Sequence, residues 1–99
     1  MTGAAGNAAP GPLKRTLAIA NKRGLHARAA AKFVRTAGQF DAAVRVSFKG
    51  QDVSGLSIMG LMMLAAGIGS SIELSSSGRQ AFEAMTALSA LVEGKFGED

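Results

Sequence analysis

The sequence predicts an α+β domain of element order β-α-β-β-α-β-α, a four-stranded, largely antiparallel sheet with three helices on one face. Three observations carry that expectation. Four short stretches alternate apolar and polar residues, the period of a strand with one buried face. Three stretches rich in Ala, Leu or Met repeat their apolar residues at helical spacing. The chain of 99 residues holds 28 large apolar side chains besides 19 Ala, enough for one small core and one domain.

Residues 13–20 read as the first strand, with Leu17 and Ile19 on its inner face and Arg15 on the same phase. Asn21-Lys22-Arg23-Gly24 supplies a turn. Residues 27–37 are rich in Ala, the best helix former, and predict a helix with Ala27, Ala30, Ala31, Val34 and Ala37 inward. Arg28, Lys32 and Arg35 then lie outward, and Gly38 stops the helix. Residues 43–48 form a strand with Val44, Val46 and Phe48 inward, and Lys49-Gly50 turns the chain into a short strand at 51–54. Residues 57–65 predict a second helix with Ser57 as its N-cap and Gly67 and Gly69 beyond its end. A fourth strand at 70–75 points Ile72 and Leu74 inward. Ser77 opens the last helix with Gln80 in capping-box position; Phe82, Met85, Leu88, Ser89 and Val92 form its buried stripe, and Gly94 ends it. The folded domain is thus expected over 13–96, between a mobile tail at 1–12 and a short C-terminal tail at 97–99.

Several function classes drop out. Without Cys there is neither a disulfide scaffold nor a thiolate metal site. The single His has no acidic neighbour in sequence, so neither a metal nor a cofactor is expected. Residues 1–12 lack the basic and apolar regions of a secretory signal. Residues 53–72 carry one acid-free but Ser- and Gly-interrupted run after Asp52, and its apolar part, 58–68, is shorter than the roughly 20 residues a bilayer requires. A cytoplasmic monomer without membrane insertion is expected. The net charge of +4 is unevenly spread: residues 1–40 hold seven cations and no acid, a footprint for something anionic.

His26 is the informative residue. It falls between the Gly24 turn and a strong helix, where backbone N–H groups have no partner within the helix. An anion held on its ring would meet those donors and the positive end of the helix dipole. Arg28 can add charge-assisted bonds to the same anion. Residues at this spacing describe an imidazole beside a phosphate cradle; they also describe a simple N-cap with a basic neighbour. A lone His can carry a covalent intermediate, but no second catalytic group accompanies it in sequence.

Gly24-Leu25-His26-Ala27-Arg28-Ala29-Ala30, together with Leu56-Ser57-Ile58-Met59-Gly60 at the second helix, resembles the HPr family. Its members are histidine phosphocarriers of the bacterial phosphoenolpyruvate-dependent phosphotransferase system. The likeness runs from about Leu13 to Phe96 and implies the family's open-faced β-sandwich. It implies that His26 takes a phosphoryl group from enzyme I and passes it to IIA domains, as a carrier and not as an enzyme. It implies that Arg28 steadies the phosphoryl group and that Ser57 is a regulatory serine, the target of an HPr kinase/phosphorylase. Ala29 stands where many sugar-pathway members have Pro, which is similar to the nitrogen-related, NPr-like branch. Both sugar transport and nitrogen regulation stay open as outputs.

The second helix suggests how partners dock. Leu61 and Leu64 share one face and Ile58, Met59 and Met62 the other, so one set enters the core and the other is exposed. Met adapts to more than one partner. With Lys32 and Arg35 near Arg28 as a cationic rim, such a patch suits acidic proteins. Two other readings use the same residues: a regulatory protein-binding domain that never carries phosphate, and a basic nucleic-acid-binding module. Against the second, only Phe33 is interleaved with the cations, so no nucleic acid is expected as partner.

Overall fold

The computed structural model describes residues 11–98; the expected tail at 1–12 and the terminal Asp99 lie largely or wholly outside that range. The strands are β1 (Leu13–Ala18), β2 (Ala43–Phe48), β3 (Gln51–Ser54) and β4 (Ser71–Ser77), and the helices α1 (Ala27–Ala37), α2 (Ile58–Met63) and α3 (Ala81–Glu93). A short 3-10 turn, Lys95–Gly97, follows. The sheet runs in the order β1-β4-β2-β3, every neighbouring pair antiparallel. The α+β class and the element order match the sequence-based expectation.

Alternation builds the core. Leu17 pairs with Ile72 and Val46 with Leu74, and all four are buried. Their neighbours Thr16, Arg45 and Asp52 face water, which one open sheet face permits. Helix α3 packs on β1 and β4, and α1 packs on both α2 and α3. Phe33, Leu61, Leu88, Val92 and Phe96 fill the layer between helices and sheet. At the β2–β3 hairpin, Lys49 and Gly50 both have positive φ (49° and 79°), the backbone of a turn whose twist matches its strands.

Four local expectations change. The inner face of α1 is Ala29, Ala30, Phe33 and Ala37, with Ala27 exposed. The bulky Phe33, passed over in the Ala-based reading, sets the helix rotation. Helix α2 ends at Met63 because Ala65 takes a left-handed backbone (φ 56°), closing the helix before Gly67. Ser77 belongs to β4, and Gln80 occupies the N-cap position of α3 without a side-chain cap. Its side chain instead accepts from the Asp41 N–H (2.8 Å) while its own N–H donates to the Asp41 carbonyl (2.9 Å). Phe82 is 70% exposed, since Ala81 and not Phe82 continues the line of Met85, Leu88 and Val92 around a helix of 3.6 residues per turn.

Candidate functional site

The loop before α1 is held by its backbone. Asn21 accepts from the Gly24 N–H (3.2 Å), and the Leu25 N–H donates to the Ala66 carbonyl (3.0 Å) in the loop after α2. Gly24 has φ +63°, and a Cβ there would lie 2.4 Å from the Ala66 oxygen. Only glycine permits both that conformation and that approach. Leu25, buried beside it, anchors the loop from the other side.

This loop delivers His26 as the N-cap residue of α1, extended at φ −74° and ψ 178°. Its carbonyl accepts the Ala30 N–H (2.8 Å), but its side chain makes no cap bond to the helix. The first N–H groups of α1 therefore keep the orphan character expected of a helix start. The ring points instead toward a carboxylate absent from the sequence-based reading. His26 Nε2 lies 2.5 Å from Glu98 Oε2, both side chains being partly buried.

Glu98 reaches the ring through a compact network. The buried Asn21 amide donates from Nδ2 to the Gly24 carbonyl (2.8 Å) and to Glu98 Oε1 (3.2 Å). Lys32 Nζ donates to the Phe96 carbonyl (2.6 Å) and adds a nearby positive charge. Lys95, Phe96 and Gly97 all have positive φ (59°, 56° and 74°), reversing the chain after α3. Left-handed backbone at two non-glycine residues costs on the order of 1–3 kcal/mol each. Complete burial of the Phe96 ring, about 1.5–3 kcal/mol, helps offset it. The hydrogen bond from His26 is the main cause holding the Glu98 carboxyl below its ordinary value of 4.5; burial opposes it, and Asn21 and Lys32 reinforce it.

Residues 97 and 98, expected to belong to a C-terminal tail at 97–99, are thus packed against the site: the Gly97 N–H bonds to Gly94 and the Glu98 N–H to Lys95. The absence of a carboxylate partner for His26 is likewise corrected, because Glu98 is distant in sequence and adjacent in space. Gly94 and Gly97 around Phe96 mark a turn in the sequence, but periodicity does not say where a left-handed turn points.

The other candidate residues occupy the neighbouring helix surfaces. Arg28 is exposed on the first turn of α1 and forms no ion pair among the described residues; Arg35 is exposed further along. Lys32 is half-buried and engaged with Phe96, so it belongs to the His26 surroundings as much as to any rim. Ser57 caps α2, its Oγ accepting the Gly60 N–H at 2.9 Å. Leu61 and Leu64 are buried, while Ile58, Met59 and Met62 are exposed, joined by Leu56, Met63 and Ile68. No group of three metal-ligating side chains occurs among the described residues, and none of their helices is long and apolar enough to cross a membrane.

Fold and site together define the class: an open-faced β-sandwich whose histidine opens its first helix. The family model described as the PTS HPr component phosphorylation site matches residues 13–94. The chain is 52% identical over 86 residues to phosphocarrier protein HPr of Cupriavidus necator, covering 87% of this chain and 97% of that one. It is 43% identical over 86 residues to phosphocarrier protein NPr of Shewanella violacea, covering 87% and 94%. Its structure superposes on crystalline HPr-C-His from Thermoanaerobacter tengcongensis with a TM-score of 0.84, at 44% identity over 88% of this chain and 98% of that one. The chain belongs to the HPr family of phosphocarrier proteins of the phosphotransferase system.

Proposed function

We propose that His26 accepts a phosphoryl group from enzyme I, with phosphoenolpyruvate as the ultimate donor, and passes it to IIA domains. The observation that carries this reading is the placement of the sole imidazole at the start of α1, one ring nitrogen bonded to Glu98 and the helix N–H groups beside it. A neutral ring attacks phosphorus with the lone pair of its unprotonated nitrogen. The donor's bond to phosphorus breaks, and its electron pair returns to the donor. Arg28 and the helix N–H groups meet the charge on the phosphoryl oxygens.

The cradle suits a carrier because it is weak. A helix terminus contributes about 0.3–1 kcal/mol toward an anion, whereas each 1.4 kcal/mol of added grip would lower the transfer potential about tenfold. The exposed Ile58, Met59 and Met62, with Arg28, Lys32 and Arg35 on the adjoining helix α1, serve as the docking surface for acidic partners. Ser57 takes the regulatory role through phosphorylation by an HPr kinase/phosphorylase, and the work is cytoplasmic and performed by a monomer.

Incubation with enzyme I and phosphoenolpyruvate, followed by intact mass measurement, tests the central claim. The parent gains one acid-labile phosphate and His26→Ala gains none. A gain that persists in His26→Ala, or no gain in the parent, overturns it.

A further inference from the structure

We propose that Met59, Met62 and Met63 form an oxidation site on the outer face of α2, where a peroxide-class oxidant turns thioethers into sulfoxides and reversibly blocks docking. The proposal rests on the reading of that face as the docking surface and deepens it.

The three side chains lie together. Positions 59, 62 and 63 stand at i, i+3 and i+4, neighbours on one side of a helix. Leu61 and Leu64, both buried, hold the opposite side against the core. Met59 and Met63 are 67% and 70% exposed and Met62 38%, whereas Met85 in α3 is only 5% exposed. The chain has no Cys, so thioethers are its only sulfur. Among the described residues, an oxidant that acts on soft, accessible sulfur therefore meets α2 first.

The chemistry balances in both directions. A sulfur lone pair attacks one oxygen of hydrogen peroxide, the S–O bond forms and the O–O bond breaks. The oxygen that stays on sulfur gives up its proton, and the departing hydroxide takes it and leaves as water. Sulfur has then lost two electrons and the peroxide has gained them. In the return step two thiols of an external reductant supply two electrons and two protons. The sulfoxide oxygen departs as water, and the reductant is left as a disulfide.

The consequence falls on docking and not on folding. In the free chain water solvates each new S=O group, because these side chains already face solvent. A partner that covers α2 must strip that water and bury a polar group with no matching donor. Met85, whose oxidation would strike the core, is shielded by its burial. The adaptable side chains that let one short helix fit several partners thus also make the surface sensitive to oxidant.

The experiment treats the full chain with hydrogen peroxide and follows each methionine by tryptic peptide mapping. Cleavage after Lys14, Lys49, Arg79 and Lys95 separates Met1 (residues 1–14) from the three α2 methionines (50–79) and from Met85 (80–95). Met59 and Met63 are expected to oxidise about tenfold faster than Met85, with Met62 between; Met85 keeping pace with them overturns the proposal. The chain oxidised at α2, shown by circular dichroism to be folded, is then compared with the untreated chain in transfer from phosphorylated enzyme I. KM is expected to rise about tenfold, the effect of some 1.4 kcal/mol, with kcat within about twofold because His26 is untouched. Methionine sulfoxide reductases for both epimers, with dithiothreitol, are expected to restore the untreated KM. A variant carrying Met59→Leu, Met62→Leu and Met63→Leu is compared only with itself, and its KM is expected to be the same before and after peroxide. An unchanged KM in the oxidised parent, a failure of the reductases to restore it, or an equal rise in the triple variant overturns the proposal. An untreated parent that takes no phosphate from enzyme I is a different result: it overturns the phosphocarrier reading, and the proposal with it.

Discussion

At the scale of single residues, Gly24 and Glu98 hold the histidine from opposite sides. Replacing Gly24 with Ala introduces a Cβ at 2.4 Å from the Ala66 oxygen in a left-handed backbone. The expected loss is about 2 kcal/mol or more, a fall in Tm of at least about 8 °C for a domain of this size; thermal unfolding followed by circular dichroism measures it. Glu98 predicts a dependence on pH. Because its folded carboxyl titrates below the ordinary 4.5, the contact stabilises the fold fully above about that pH and weakens as pH falls through the lowered value. Amide-exchange protection of Gly97 and Glu98 is therefore expected to hold from neutral pH down to about 4.5 and to decline only below it. Among residues, His26 and Ser57 were legible because a helix start advertises its cap. Glu98 was not, since its contact spans 72 residues and depends on three left-handed residues that no hydrophobic period encodes.

At the scale of elements, α2 is the one with least to spare. It has six helical residues, so its cap matters more than in a long helix. Ser57→Ala removes the acceptor for the Gly60 N–H and is expected to cost about 1 kcal/mol, or about 4–8 °C in Tm. Ser57→Asp supplies another acceptor and is expected to keep Tm within a few degrees of the parent. It also sets a negative charge beside the exposed apolar residues, and transfer from enzyme I is expected to slow about tenfold, the effect of some 1.4 kcal/mol. A rapid-quench assay reads that rate; equal rates for Ser57→Asp and the parent remove the regulatory role. The two hairpin strands were legible to the residue, and the first and last to within two residues, because alternation is a two-state pattern. Helix rotation was less so: in α1 one Phe outweighs several Ala, and in α3 a start displaced past Ser77 carries Phe82 out of the core.

At the scale of the whole molecule, charge is sorted along the chain, with seven cations in residues 1–40 and a net negative remainder. Long-range attraction of this kind acts on encounter and is screened over about 10 Å at 0.1 M salt. The association rate with enzyme I is expected to fall roughly tenfold between low and 0.5 M salt, while dissociation changes much less. Stopped-flow mixing at several ionic strengths checks this, and a rate indifferent to salt assigns docking to the apolar patch alone. The fold class itself was legible because two periods, of strand and of helix, alternate along a chain with room for only one core.

Among the described residues, the sheet order leaves β1 and β3 with one unpaired edge each. A bare edge is an invitation to polymerise, and this chain also exposes Met59, Met63 and Ile68. The invitation is withdrawn at both sides: β1 carries Lys14 and Arg15 in succession, and β3 is only four residues long with Asp52 tied to Arg45. Stickiness is confined to one short helix and its flanks, so crowding brings reversible collisions there while the sheet resists growing into a fibre.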